Sequence, residues 1–395
     1  MPELSRSVDD PFGLRSLDLE RLRRKHGIKW ASAPQGGYAA WIADMDFDVA
    51  PVIRDALSEV IARDEFGYPD WGGVYALSPA AKQFAVRMAD RYHCELDPDR
   101  LYDMSNVIQC VRVVVQQMSQ PGDGVVLHMP AYHPFLATLE TMDRRLVSVE
   151  PVFGDDVDVR FDYDRLEADL QAGGAKVWIL CHPHNPTGHV FSRQELERVA
   201  EIADRFDLVV IADEVHADLT YAPAEHVAFA SLGADVAART VTASSASKAF
   251  NLAGMRWAVL HSGSDALHAT LQLMPGHYLG APNKMAVEAT LAAWTGGDAW
   301  LDAVRGVLDE NRHLLGELLG RYFPEARFQR PEATYLAWID LRSCGLGDDP
   351  AGVFADRGVM VSPGPQFGPQ GVGCVRLNFA TSPSILTEML AAAGG

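Results

Sequence analysis

The stretch V-W-I-L-C-H-P-H-N-P-T-G-H-V, residues 177–190, joins an apolar run of strand length to a polar segment rich in turn-forming residues. Residues 177–180 are continuously apolar, which is typical of a strand covered on both faces of a parallel sheet. Similar runs occur at residues 125–127, 208–211, 241–242 and 257–260. Amphipathic segments such as residues 193–206 separate several of these runs. The alternation predicts an α/β fold in which helices cover a mostly parallel sheet.

The last third of the chain follows a different pattern. A helical pattern from residue 284 to about 320 is too long to be a crossover within that sheet. The segments A-T-Y-L-A-W-I-D-L, V-M-V-S-P-G and V-R-L-N-F-A then indicate strands, before a final helix at about 384–393. Because 395 residues exceed what one compact core usually holds, we predict two domains. The larger spans residues 48–284, and the smaller α+β domain combines residues 1–47 with 285–395.

Composition excludes several classes of function. With 34 basic and 53 acidic side chains the formal charge is −19, which disfavours nucleic acid and anionic membranes as partners. The charged sequence through Lys25 lacks the apolar core of a signal peptide, and no apolar stretch reaches the ~20 residues that span a bilayer. A cytoplasmic protein is therefore expected. The five cysteines contain no C-x-x-C pair, so neither a disulfide framework nor a zinc site is expected.

Polar segments follow four of the predicted strands, at residues 128–135, 181–190, 212–216 and 243–256. Taken singly, Asn185 could belong to a turn, Asp213 could cap a helix, and Lys248 could be a surface charge. Their joint order is more specific: Asn185, Asp213, the S-x-S-K motif ending at Lys248, and then Arg256 follow one another at strand ends. Since the carboxyl ends of parallel strands share one edge, these residues predict a single site.

These motifs resemble fold-type I pyridoxal-phosphate (PLP) enzymes, and the resemblance covers nearly the whole chain. The nearest branch is the cystathionine β-lyases, C–S lyases of the MalY/PatB type. The motifs that carry it are W-I-A-D-M-D-F, F-G-Y, P-A-Y-x-x-F, P-H-N-P-T-G-x-V-F, D-E-V-H-x-D-L, S-K-A-F-N-L-A-G, P-E-A-T-Y-L-A-W and R-L-N-F-A-T. The resemblance implies an aspartate-aminotransferase-like α/β fold. Its large domain has a mostly parallel seven-stranded sheet, and its smaller domain is α+β.

The resemblance also implies roles around the cofactor ring. Lys248 would carry PLP covalently and, once released by substrate, act as the base at the substrate Cα. Asp213 would pair with the pyridine nitrogen, and Asn185 would hydrogen-bond the 3-oxygen. In many relatives a tyrosine three residues after the aspartate does the same, and His216 takes that place here. Tyr132 would stack on the ring face.

Further residues are implied at the phosphate and at the substrate. The expected phosphate ligands are Ser245, Ser247, Arg256 and the backbone of the turn Val107, Ile108 and Gln109. Tyr68 would reach the phosphate of a neighbouring subunit, which implies a homodimer with active sites at its interface. Arg376 would bind the substrate α-carboxylate as a bidentate pair, beside Tyr132 and Asn185.

The reaction itself stays open at this point. The resemblance favours β-elimination from a cysteine thioether, either cystathionine or a bulkier cysteine S-conjugate such as those of secondary metabolism. The fold equally permits an aminotransferase, or another PLP reaction on an S-conjugated cysteine such as decarboxylation-coupled deamination. A regulatory protein-binding role is a further alternative, which Lys248→Ala would leave intact.

The region around the predicted site is rich in histidine. His128, His133, His182, His184 and His189 are expected near the site mouth, where they contact substrate or make the loops polar. They fall in different loops without ligand spacing, so no metal site is expected. The distal wall of the substrate pocket is expected from the N-terminal arm, at about 10–40, and from residues 277–283.

Overall fold

The computed structural model describes residues 10–73, 76–153, 159–275 and 278–395, with the side chains of residues 153 and 159 left out. His277, at the start of one predicted pocket wall, lies outside these residues. The strands are β1 Tyr38–Ala40, β2 Leu101–Met104, β3 Gly124–His128, β4 Arg145–Val149, β5 Pro151–Phe153, β6 Val159–Phe161, β7 Val177–Cys181, β8 Val209–Asp213, β9 Thr240–Ser244, β10 Ala258–Ser262, β11 Arg327–Phe328, β12 Leu336–Asp340, β13 Val359–Pro363 and β14 Cys374–Asn378. The helices are α1 Leu19–Arg23, α2 Ile28–Ala31, α3 Pro51–Ala62, α4 Pro79–Tyr92, α5 Val107–Met118, α6 His133–Thr141, α7 Tyr163–Gly173, α8 Arg193–Arg205, α9 Ala234–Ala237, α10 Asp265–Gln272, α11 Lys284–Gly296, α12 Asp298–Tyr322, α13 Pro350–Asp356 and α14 Pro383–Gly394.

A seven-stranded sheet forms the larger part of the fold, with the strand order β2-β10-β9-β8-β7-β3-β4. The pairs β4–β3, β3–β7, β7–β8 and β8–β9 are parallel, whereas β10 is antiparallel to both of its neighbours. The predicted mostly parallel α/β sheet is therefore confirmed.

Strand β7 shows why its sequence is continuously apolar. Val177 and Ile179 pack in a core on one face of the sheet, against residues of α5. Trp178 and Leu180 point to the opposite face and pack in a second core, against residues of α8. Because alternate residues of a strand face opposite sides, a sheet covered on both sides needs apolar residues at every position.

Helix α8 begins where its sequence predicts. Ser192 and Glu195 form a reciprocal capping box, which satisfies backbone N–H groups of the first turn. Leu196, Val199 and Ile202 recur at helical spacing and are buried. This helix spans Arg193–Arg205, one residue shorter than the predicted 193–206.

A second, five-stranded sheet has the order β1-β13-β14-β12-β11. Strand β1, from the N-terminal part of the chain, is parallel to β13, while the remaining pairs are antiparallel. The helical pattern predicted from 284 to about 320 is divided between α11 and α12 at Gly297. A Cβ at Gly297 would lie 2.5 Å from the carbonyl oxygen of Ala293 and 2.7 Å from the Phe250 ring. The domain boundaries at residues 48 and 284 stay a prediction.

The register of the larger sheet brings the ends of three strands together. Cys181 pairs with Asp213, and Asp213 pairs with Ala243 on the following strand. The polar segments that follow β3, β7, β8 and β9 therefore leave the sheet at the same edge. Among the helices of the described ranges, none is both long and apolar enough to cross a bilayer.

Candidate active site

Asp213 is the last residue of β8 and lies inside the protein. Its side chain is 4% exposed, and Oδ1 accepts a hydrogen bond from the backbone N–H of Val215 at 3.2 Å. Burial raises the pKa of Asp213 to about 7, although the Val215 hydrogen bond and the charge of Lys248 oppose this shift. A buried carboxyl group in this state is stabilised by any cation placed against it.

Lys248 lies in the turn after β9 and is half-buried. Its Nζ donates a hydrogen bond to the carbonyl oxygen of Ala43 at 2.9 Å. Burial lowers the pKa of Lys248 and Arg376 lowers it further, while the charges of Asp44 and Asp213 oppose the shift. A lowered pKa increases the fraction of neutral amine, which is the nucleophilic and basic form of lysine.

Arg376 is in the middle of β14, opposite Trp338 on one side and Ser362 on the other. The side chain is 3% exposed. Its guanidinium donates to Asn185 Oδ1 at 3.1 Å, to the Trp41 carbonyl oxygen at 2.9 Å and to Ser362 Oγ at 3.2 Å.

The acceptors around Arg376 are all neutral. Within the described ranges, its guanidinium has no carboxylate at ion-pair distance, and its buried Nε has no acceptor. Burial lowers the pKa of Arg376 to about 10, against the opposing effect of Tyr132 and Tyr335. A buried cation with only neutral partners strongly favours a carboxylate ligand.

Asn185 and Tyr132 meet beside these charges. Asn185 follows β7 and is 5% exposed, and Tyr132 immediately precedes α6. Both residues line a small cavity together with Cys181 and Ala131. The Tyr132 ring packs edge-on against Phe135, with their centroids 5.6 Å apart. The sheet edge therefore places an aromatic face and an amide in one cavity.

His216 is buried three residues beyond Asp213. Its Nδ1 has no hydrogen-bond partner in the described part of the chain. The ring lies edge-on to Tyr335, with centroids 6.4 Å apart. Burial lowers the pKa of His216 to about 3, and the charges of Lys248 and Arg376 add to this effect. His216 is thus a neutral imidazole with an unsatisfied nitrogen in the same region.

The N-terminus of α5 offers fewer donors than the sequence predicts. Asn106 caps the helix, and its Oδ1 accepts the N–H of Gln109 at 2.9 Å. The Gln109 side chain is also engaged, since its Nε2 donates to the Leu279 carbonyl at 2.9 Å. The N–H groups of Val107 and Ile108 have no acceptor among the described residues, which leaves two donors for an anion.

The other predicted phosphate ligands differ in how free they are. Ser245 Oγ donates to the Trp257 carbonyl at 2.6 Å and accepts the N–H of Ser247 at 3.1 Å. Arg256 is exposed, and its backbone is in the left-handed conformation at φ 60°. Tyr68 is fully exposed. Ser245 therefore shapes the turn, whereas Arg256 and Tyr68 present their polar ends to solvent.

Several contacts of the site escaped the sequence reasoning. The carbonyl oxygens of Trp41 and Ala43 accept hydrogen bonds from Arg376 and Lys248. Tyr335 Oη also donates to the Ala43 carbonyl, at 2.8 Å. The motif W-I-A-D-M-D-F is part of the resemblance, but its residue types do not indicate which of its carbonyl oxygens accept hydrogen bonds.

Four of the five histidines expected near the site mouth are internal instead. His128, His182 and His184 are at most 3% exposed, and burial lowers the pKa of each, so they are neutral. His189 is also largely buried and pairs with Glu195 Oε1 at 3.0 Å. His133 alone of the five is exposed. The described residues contain no group of three or more side chains suited to hold a metal ion.

The site combines a buried acid, a lysine of lowered pKa and a buried arginine that has no acid partner among the described residues. An enzyme that acts on amino acids through a pyridine cofactor requires these groups. The chain belongs to the aminotransferase class I and II family, whose model matches residues 42–393. Two curated relatives within this range of similarity are named as follows. Cystathionine β-lyase PatB of Bacillus subtilis is 31% identical over 355 residues, covering 89% of this chain and 90% of PatB. Protein MalY of Escherichia coli is 33% identical over 343 residues, covering 85% of each chain.

A solved structure also has the same fold as this chain. The PLP-bound C–S lyase from Staphylococcus hominis superimposes with a TM-score of 0.86 at 26% identity, covering 96% of each chain. The aspartate-aminotransferase-like fold predicted from the sequence is therefore confirmed.

Proposed function

We propose that this protein is a PLP-dependent C–S β-lyase that cleaves a cysteine thioether into a thiol, pyruvate and ammonia. The observation that carries the proposal is that Lys248 and Arg376 bind carbonyl oxygens two residues apart, and that Arg376 also binds Asn185 in the loop beyond the strand that pairs with the Asp213 strand. The relatives named cystathionine β-lyase and C–S lyase favour elimination over transamination. A cytoplasmic location belongs to the same proposal.

The residues fit the cofactor ring. Bound PLP supplies the electron sink that stabilises negative charge at the substrate Cα. Asp213 would pair with the protonated ring nitrogen, which compensates a carboxylate whose pKa burial now raises to about 7. Asn185 and the unsatisfied Nδ1 of His216 are the candidate partners of the ring oxygen. Tyr132 would lie against the ring face.

Two sets of donors would hold the phosphate. The open N–H groups of Val107 and Ile108 are at the positive end of α5, and the exposed Arg256 is free to turn toward the same anion. Ser245 and Ser247 complete the turn. The fully exposed Tyr68 would reach the phosphate of a second subunit, so we include a homodimer in the proposal.

Substrate binding and proton transfer follow from the two cations. Arg376 would bind the α-carboxylate, which gives its buried charge the acid partner that the described residues do not supply. Lys248 Nζ, whose pKa burial lowers, would take the proton from the substrate Cα in its neutral form. Loss of the thiolate from Cβ and addition of water then account for the thiol, pyruvate and ammonia.

The test uses purified protein reconstituted with PLP and offered L-cystathionine. Pyruvate, ammonia and free thiol are measured together, and Lys248→Ala is the control. We expect equal amounts of the three products from the wild type and none from Lys248→Ala. A different result would identify an aminotransferase instead of a lyase. In that case the protein would bind PLP and transfer an amino group to a 2-oxo acid, but would release no thiol from cystathionine or a larger S-conjugate.

A further inference from the structure

The segment Trp41–Phe47 connects β1 to α3 and has no regular secondary structure. Its carbonyl oxygens are instead held by side chains from distant parts of the chain. The Trp41 carbonyl accepts from Ser362 at 2.6 Å and from Arg376 at 2.9 Å. Two residues later, the Ala43 carbonyl accepts from Lys248 at 2.9 Å and Tyr335 at 2.8 Å. One short segment therefore contacts both cations of the proposed active site.

The same segment is tied to the N-terminal arm by a buried ion pair. Lys29 Nζ lies 2.8 Å from Asp46 Oδ1, and the two side chains are 5% and 2% exposed. Trp30 Nε1 donates to the same carboxylate oxygen at 2.7 Å. Lys29 Nζ also donates to the carbonyl oxygen of Asp44 at 3.0 Å. Both partners of the Lys29 ammonium, the Asp46 carboxylate and the Asp44 carbonyl, therefore belong to the Trp41–Phe47 segment.

A buried ion pair adds little net stability compared with apolar residues of the same volume, because desolvating both charges offsets their attraction. It does impose geometry, since either partner left alone would be an uncompensated buried charge. The Asp44 carbonyl held by Lys29 is one residue beyond the carbonyl that Lys248 and Tyr335 bind. A shift of this backbone is therefore passed directly to the acceptor of the Lys248 amine.

We propose that Lys29 is a positioning residue for the active site. Its ion pair with Asp46 fixes the Trp41–Phe47 segment, and the carbonyls of that segment orient the free amine of Lys248 and the guanidinium of Arg376. The inference rests on the proposed function for the roles of these two cations. The position of the segment itself is independent of which reaction the enzyme catalyses.

The test compares Lys29→Met, which keeps the length of the side chain and removes its charge, with two controls. Arg21→Met breaks the exposed bridge between Arg21 and Asp48, 2.8 Å long and 54% and 43% exposed, which joins the same arm to the chain just beyond the segment. Leu170→Ala, in a core that contains no residue of the segment, lowers stability without touching the segment. All proteins are measured well below their unfolding temperatures.

Hydrogen–deuterium exchange at residues 41–47 in the PLP-free protein is the first readout. The second is the PLP dissociation constant, and the third is kcat and KM for the thioether that the wild type cleaves. We expect Lys29→Met to exchange faster in this segment and to lose on the order of tenfold to a hundredfold in kcat, as small misplacements of catalytic groups do. Both controls should keep the wild-type exchange and kcat.

Unchanged exchange and unchanged kcat in Lys29→Met would overturn the positioning role. An equal loss in Leu170→Ala would also overturn it, because the effect would then reflect stability alone. If the wild type cleaves no thioether, the proposed function fails, while exchange and PLP affinity still decide whether Lys29 holds the segment. The double variant Lys29→Met with Asp46→Asn also removes the carboxylate charge that Lys29→Met leaves unpaired. It should be more stable than Lys29→Met alone, while residues 41–47 should still exchange fast.

Discussion

Two sides of the candidate active site are built in different ways. On one side, Asp213 ends β8, where it pairs with Cys181 of the parallel strand β7, and Asn185 lies in the loop that follows Cys181. On the other, Lys248 and Arg376 contact backbone carbonyls of Trp41–Phe47, across more than 200 positions of sequence. The strand side is held by a continuous ladder of backbone hydrogen bonds, and the segment side by side chains that bind its carbonyl oxygens. Substitutions on the strand side should therefore remove a chemical group, while those on the segment side should displace one.

The largest effect is expected at the strand side, from Asp213→Asn. Removal of the carboxylate takes away the partner of the cofactor ring, so kcat/KM should fall by on the order of a thousandfold. In contrast, the PLP-free variant should be more stable to unfolding than the PLP-free wild type. Burial raises the pKa of Asp213 to about 7, so its share of stability is complete below about pH 4 and is lost as the pH rises through 7.

The stability part is measured by urea unfolding of the PLP-free proteins at pH 5.5 and 8.5. Asp213→Asn should gain up to ~4 kcal/mol on the wild type at pH 8.5 and about half of that at pH 5.5. The matched control is Asp218→Asn on the same loop. Although burial opposes it, Arg87 and Arg91 hold the pKa of Asp218 below its ordinary value, so this variant should lose stability at pH 8.5. A gain in both variants would contradict the assignment.

On the segment side, Arg376→Lys tests whether geometry or charge matters. The shorter, single-point ammonium cannot bind a carboxylate in two places or reach the Trp41 carbonyl, Ser362 and Asn185 together. We expect KM for the amino-acid substrate to rise by about tenfold to a hundredfold, with a smaller fall in kcat. Arg342→Lys, which alters an arginine paired with Asp340 near the surface, is the control and should leave both constants unchanged. A fall in kcat at constant KM would place the carboxylate elsewhere.

The same contrast explains what could be predicted from the sequence. The continuous burial of residues 177–180 follows from their unbroken apolar run, and polar residues after such strands predict the sheet edge with Asn185, Asp213 and Lys248. Arg376 was identified through the resemblance, because an arginine within a strand pattern gives no local sign of a site. The carbonyl acceptors of Trp41 and Ala43 were missed, since any residue type supplies a carbonyl. Gln109 was expected to offer its N–H, which the Asn106 cap occupies.

A third prediction concerns the loop that carries Asn185. His189 Nε2 lies 3.0 Å from Glu195 Oε1, and Nδ1 lies 3.5 Å from Glu332 Oε2, which joins this loop to the segment before β12. Although burial opposes it, Glu195 and Glu332 raise the pKa of His189 to about 9. The stability that the charged imidazole contributes is therefore complete below about pH 6.5 and is lost as the pH rises through 9.

Unfolding of His189→Gln and the wild type across pH 6 to 10 measures this contribution. The variant should be less stable by up to ~3 kcal/mol at pH 6, and the difference should shrink toward zero by pH 10. His184→Gln is the control, because burial lowers the pKa of His184 to about 3 and its effect should not change over this range. A constant difference between His189→Gln and the wild type would show that the imidazole contributes by packing rather than by charge.

The smallest effect is expected from Tyr335→Phe, which removes one of the two hydrogen bonds to the Ala43 carbonyl and leaves the Lys248 contact in place. Burial raises the pKa of Tyr335 well above its ordinary value, so the hydroxyl stays protonated and acts only as a donor. Loss of one such bond is worth about 1 kcal/mol, which corresponds to roughly a fivefold fall in kcat. Tyr221→Phe is matched to it, because Tyr221 is equally buried and donates to the Thr334 carbonyl outside the segment. If the two variants lose the same activity, the Ala43 carbonyl has no special part in holding Lys248. If only Tyr335→Phe loses activity, a single hydrogen bond to the Ala43 carbonyl matters for holding Lys248, whereas an equally buried one outside the segment does not.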